Sequence, residues 1–386
     1  MKKRSVIYYL PSLRTEDAIR QSDFTVTPFL KDKQYSYLLP TDVFDGTGSL
    51  VEFNEFKSGD CYTQDIDRNI LIALERLKFS YFLQNPNHAT SVDGYVSSET
   101  FECFRCIEPN EDPAFEHKVH FSNGMYNFSK SLKAYYSSRI SLKLQPIRLR
   151  ASDFDYVDYL RDGTSEESHL AAMRLYNRCW STYSLHNSID KPVLARASIE
   201  VLAKIKFRKN PLINFIPQFF EMAFLRLNQL AEADTTVRRL TTLIIPSREV
   251  LQDTVTKQIE SIREARHSFA HEGIESDSLT NIPFYLVWFP LYWMVLFRFE
   301  KMTAKDGIRL ALFFCLLKVK PEYWQHIQRC TPTTQIKRHH LDTYAHYSRI
   351  LQKWAEERPE EANLVLCAIP KWFGIDAPPI LSSGLA

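Results

Sequence analysis

No sign of charge dominates this sequence. Lys+Arg number 48 and Asp+Glu 46, a net charge of +2 over 386 residues. That excludes a basic coat dedicated to nucleic acid, and any contact with a polyanion must be local. Cysteine is sparse and odd in number, at seven, which fits a reducing compartment better than a disulfide framework and makes the cytoplasm the expected location. Neither a repeat at fixed period nor a low-complexity tract is visible. A run long enough to span a bilayer is missing too. The longest uncharged apolar segment, Ile282 to Phe297, has about sixteen residues and two prolines, short of the roughly 20 that a spanning helix requires. A buried or interface helix is expected there, with no membrane attachment. The opening MKKRSVIYYLPSL is basic, but its apolar stretch stops at Pro11, too short for a secretory leader, so it reads as a first strand.

What is present is apolar mass. Hydrophobic residues make up 45% and aromatics 13%, enough to bury cores for two or three domains. Residues 1–160 mix short β-like runs, VIYYL, FTVTPF, YSYLL, LVEF, FECFRCI, HKVHF and ISLKLQPIRLR, with one helical pattern between Asp65 and Phe82. From about Ser165 the periodicity turns helical, with helices expected at Glu166 to Leu185, Lys191 to Phe207, Ile213 to Ala233 and Ser247 to His271. The expected class is therefore α+β: an N-terminal mixed module over 1–160, an all-α bundle over 161–300, and a helical C-terminal extension over 301–386.

The chemistry concentrates at the end of the fourth of these helices. Pro246 and Ser247 mark its start and Gly273 its end. On a wheel of about 100° per residue, with Arg266 at zero, Arg263 falls near 60°, His267 near 100° and His271 near 140°. The four basic groups share one arc, and Arg266 borders the apolar stripe of Leu251, Val255, Ile259 and Ile262, so its guanidinium is expected to be partly buried. RNA can be cut without a metal when a base takes the 2′-hydroxyl proton, an acid protonates the leaving 5′-oxygen and a cation stabilises the charged phosphorane. Histidine serves either proton transfer near neutral pH, and arginine offers a fork matched to phosphate oxygens. The macrodipole also favours cations at a helix C-terminus without any catalytic role.

The segment Arg266-His267-Ser268-Phe269-Ala270-His271, the only Arg-x4-His match in the chain, resembles the signature of the HEPN superfamily of ribonucleases. That signature is Arg, a polar residue, three variable residues and His on the penultimate helix of a small bundle. The resemblance covers about Glu166 to Glu300. With ARASIEVLAKI on the preceding helix, it looks like the ApeA-like branch found in anti-phage and abortive-infection proteins, where an N-terminal β-containing domain often precedes the bundle. It implies a metal-independent endoribonuclease toxin without cofactor, with Arg266 and His271 catalytic and His267 as the polar second position. It also implies a homodimer with a composite active site, RNA as substrate, and an antitoxin or a phage-derived trigger as a further partner. A HEPN-fold adaptor that binds a protein or nucleotide without cutting is the alternative. Arg263 and Glu200, the latter a carboxylate on the preceding helix, are secondary candidates.

Three other features carry weaker chemistry. Cys103, Cys106, His117 and His120 could form a tetrahedral zinc site, or be ordinary strand residues with a free thiol pair. Lys337, Arg338, His339 and His340 form a small basic patch. The aromatics Phe284, Tyr285, Trp288, Phe289, Tyr292 and Trp293 could stack bases, but their nearly continuous run reads better as core or dimer contact.

Overall fold

The computed structural model describes residues 6–29, 48–56, 64–84, 98–107, 117–121, 124–128, 147–154, 166–181, 190–207, 209–272 and 302–317. The expected strands YSYLL and ISLKLQP lie outside them. So do the apolar segment 282–297 with its aromatics, the patch 337–340 and most of the C-terminal extension. The chain forms two compact units, Met1–Leu194 and Ala195–Ala386, and the architecture is mixed α and β.

In the first unit the β-rich runs assemble into one seven-stranded sheet. Strands β1 (Val6–Leu10), β3 (Ile19–Arg20), β4 (Phe24–Pro28), β5 (Ser49–Phe53), β6 (Cys103–Ile107), β7 (His117–Phe121) and β8 (Gly124–Phe128) lie in the order β3-β4-β5-β1-β6-β7-β8. Every pairing in it is antiparallel. The short strands β2 (Leu13–Arg14) and β9 (Ile147–Arg148) pair in parallel apart from it. All five residues of the central β1 are buried, so this strand is covered on both faces, unlike the one-sided alternation of a solvated antiparallel sheet.

Helix α1 (Gln64–Gln84) explains one of those covers. Tyr8 and Arg105 are direct cross-strand partners in the β1–β6 register, so they share a face, and both reach Asp67 of α1. The Tyr8 hydroxyl donates to the carboxylate at 2.6 Å, and the fully buried Arg105 guanidinium forms an ion pair with it. A second buried pair, Arg76 to Asp23 at 2.7 Å, ties α1 to the turn before β4. Helix α2 (Glu166–Arg178), which sequence periodicity groups with the helical half, packs on α1 within this first unit. Tyr176 meets Phe79 edge-on at 5.1 Å, and Trp180 stacks on Phe82 at 5.0 Å. Asn177 donates to the Glu75 carboxylate at 2.7 Å, and Lys78 contacts the same carboxylate at 3.1 Å.

The second unit is helical throughout its described residues. Helix α3 (Asp190–Lys206) runs across the boundary from the first unit; α4 (Pro211–Ala233), α5 (Thr235–Ile244), α6 (Arg248–Glu272) and α7 (Ala304–Leu317) follow. The core is phenylalanine-rich: Phe219, Phe220 and Phe224 of α4 surround Phe314 of α7 at ring distances of 6.1, 5.5 and 5.4 Å. Gly307 lets α7 approach closely, since a Cβ there would come within 2.8 Å of Leu230 Cδ1 and 3.3 Å of Val237. Caps fix the breaks between helices. The Asp234 carboxylate accepts from the amides of Thr236 and Val237 at 2.8 and 2.9 Å, starting α5. Thr303 and Asp306 exchange side-chain to backbone bonds at the start of α7, the reciprocal pattern of a capping box.

Among the described residues, no helix is long and apolar enough to cross a membrane.

Candidate functional site

Helix α6 is set by its apolar row. Leu251, Val255, Gln258, Ile259, Ile262 and Ala265 are all at most 4% exposed, a spacing of three and four residues that turns one stripe inward. The opposite arc carries the charges. Its 25-residue length gives a rise of about 37 Å, and the candidate residues occupy the C-terminal two to three turns.

Arg266 is exposed, which corrects the expectation that its guanidinium would be partly buried. The physical reason is one residue's worth of rotation. Ala265 holds the inward position at 3% exposure, and the next side chain lies about 100° away. His267 and His271 are exposed as well, and the helix brings them together: their ring centroids are 4.4 Å apart with planes inclined at 50°. Among the described residues their one ring contact is with each other. Arg263 lies one turn before His267 and pairs with Glu260 at 2.6 Å, with the two side chains 58% and 34% exposed. A pair so open to water contributes little to stability. Glu260, three residues earlier on the same helix, partly neutralises this cation.

Glu200 is occupied elsewhere. It lies on α3, half-buried, between Arg196 at 3.2 Å and Lys204 at 3.3 Å. Both partners are four residues away, so this is a one-sided helical charge ladder, and the carboxylate is engaged by its own helix.

Of the cysteine and histidine set, Cys103 on β6 is the register partner of His120 on β7. Cys103 is fully buried. Among the described residues, no group of three or more His, Cys, Asp or Glu side chains is arranged to hold a metal.

The polar cluster that sequence reading did not anticipate is Tyr8, Asp67 and Arg105. Burial, and then the hydrogen bond to Asp67, push the Tyr8 phenol far above the ordinary range for tyrosine. Its members come from three elements far apart in sequence. The available signal was the charge carried by α1 itself, where Asp67, Glu75, Arg76 and Lys78 are buried among apolar residues. With 4 to 9% exposure around a fully buried guanidinium, this cluster welds sheet to helix and has no open side for a ligand.

Comparison with known proteins finds no match: no family model fits the chain, and no curated protein or solved structure is similar to it.

Proposed function

We propose that the chain is a metal-independent endoribonuclease of HEPN type, and that its helical unit is the cutting domain. The observation that carries this reading is the pair of imidazoles at 4.4 Å on the exposed C-terminal turns of α6, with Arg266 beside them on the same solvent-facing arc. The parts suit phosphodiester transfer within RNA. One neutral imidazole takes the 2′-hydroxyl proton, and the 2′-oxygen attacks phosphorus. The P–O5′ bond then breaks, and a protonated imidazole gives its proton to the departing 5′-oxygen, leaving a 2′,3′-cyclic phosphate and a 5′-hydroxyl. Arg266 stabilises the extra negative charge on the phosphorane. DNA, lacking the 2′-hydroxyl, is not a substrate.

Two copies of the chain would bring two such helix ends around one scissile bond, so the enzyme is a homodimer with a composite site. The N-terminal unit regulates it, because an unrestrained RNase in the cytoplasm damages its own cell. An antitoxin or a phage-derived trigger is the natural partner, and anti-phage defence by abortive infection the natural setting.

The test is cleavage of a labelled RNA by the purified full-length chain in the presence of EDTA. Wild type is expected to cut, generating cyclic phosphate ends. His271→Ala and Arg266→Ala are expected to lose about 10²- to 10⁴-fold, the usual contribution of a positioned acid, base or charge stabiliser. Undiminished cleavage by both variants would remove these residues from the mechanism. RNA binding by wild type without cleavage would return the chain to the adaptor reading.

A further inference from the structure

We propose that His267 and His271 also form a two-imidazole clamp for a borderline transition-metal cation, Zn²⁺ above all, and that occupancy silences the site. The clamp stands on geometry alone; the silencing rests on the ribonuclease reading.

The two residues are one helical turn apart on an exposed face, and their rings are already 4.4 Å from centre to centre. A zinc ion lies roughly 2.0–2.1 Å from an imidazole nitrogen, and so about 3.1 Å from the ring centre once the ring radius is added. Two rings held at that distance from one ion and 4.4 Å from each other subtend about 90° at the metal, and a small side-chain rotation opens this towards the roughly 109° of a tetrahedron. Both rings face water, so the ion can enter directly, and water or the matching pair of a second copy can complete the coordination.

Ligand chemistry selects the metal. Neutral imidazole suits Zn²⁺, Cu²⁺ and Ni²⁺, while Mg²⁺ and Ca²⁺ prefer oxygen donors. The clamp therefore ignores the abundant hard cations. An imidazole whose lone pair binds zinc cannot accept a proton from a 2′-hydroxyl at that nitrogen, so metal and general base compete for the same atoms. The result is a brake: the nuclease cuts when zinc is withheld and stops when it is supplied.

The experiment titrates Zn²⁺, with Mg²⁺ as control, into full-length protein as wild type, the double variant His267→Gln/His271→Gln, and Arg266→Lys. All three positions are exposed, and unchanged circular dichroism verifies the folds. Wild type and Arg266→Lys are expected to share one binding event that the double variant lacks or shows at least tenfold weaker. With Cu²⁺ as a probe, electron paramagnetic resonance should show nitrogen couplings that the double variant loses. Identical titrations for wild type and double variant overturn the clamp. In the cleavage assay, saturating Zn²⁺ is expected to lower wild-type activity at least tenfold, and EDTA to restore it. Full activity with the clamp occupied overturns the brake while leaving the nuclease reading intact. Zinc binding lost in the double variant, in a protein that cuts no RNA under any condition, sustains the clamp and refutes the nuclease.

Discussion

The two units place their charges in opposite ways. In the first, ionised side chains are sealed inside: Asp67 and Arg105, Asp23 and Arg76, Glu75 and Lys78 are all 9% exposed or less. In the second, the interior is held by phenylalanine contacts, and the cations of α6 face water. A buried pair is committed to the fold, because separating its members leaves an uncompensated charge in a poor dielectric. An exposed cation has little structural duty and is free to meet a ligand. The lesson is that perturbed, buried ionisable groups mark architecture in this chain, and the candidate chemistry sits where the side chains are least constrained.

That contrast can be broken or sharpened by mutation. The largest effects are expected in the two cores. Asp67→Ala removes the carboxylate shared by Arg105 and the Tyr8 hydroxyl and should destabilise by about 3–5 kcal/mol. Phe314→Ala opens a cavity and should cost about 3–5 kcal/mol, both read from denaturant unfolding. If the buried pair only maintains packing, the double replacement Asp67→Leu/Arg105→Met should be neutral or recover most of the loss of the single change. Next comes pH. The Tyr8 phenol ionises far above its ordinary range in the folded state, while the unfolded chain releases that proton near 10. Stability from this group is thus complete below about pH 10 and falls above it by about 1.4 kcal/mol per pH unit, visible as a midpoint that drops steeply in alkali. Asp234→Ala should remove about 1 kcal/mol by uncapping α5. The smallest effect on unfolding belongs to Arg266→Ala, within about 0.5 kcal/mol of wild type, although the same change should cost the most activity. A large loss of stability from Arg266→Ala would erase the distinction between the units.

Much of the helical half was legible, because periodicity and turn signals agree there. The segment from Ser247 to His271 folds as α6, Arg248–Glu272, and the arc that the wheel drew for Arg263, His267 and His271 is the exposed one. The wheel placed Arg266 too near the stripe because Ala265, small and easily passed over, takes the inward position. Helix α5 was not anticipated, since TTVRRLTTLI is rich in β-branched residues of modest helix propensity. The Asp234 cap and burial of Val237, Leu240 and Ile244 override that preference. Strand β8 (Gly124–Phe128) was not anticipated either: GMYNF is a short run that pairs along its whole length with β7. The assignment of α2 to the helical half illustrates a further limit. Amphipathic spacing shows that a helix has a face to bury, but not which neighbour receives it, and Tyr176 and Trp180 find theirs on α1.

The position of the histidine pair at the finishing end of α6 carries one more consequence. Peptide dipoles sum to about half a negative charge at that terminus, so a polyanion sliding in along the helix axis is repelled. A strand lying crosswise, over the flank that bears the exposed Arg266, would meet positive charge first. Under the proposed function, the helix would set the angle at which RNA lies down, and a footprint aligned with the axis would count against it.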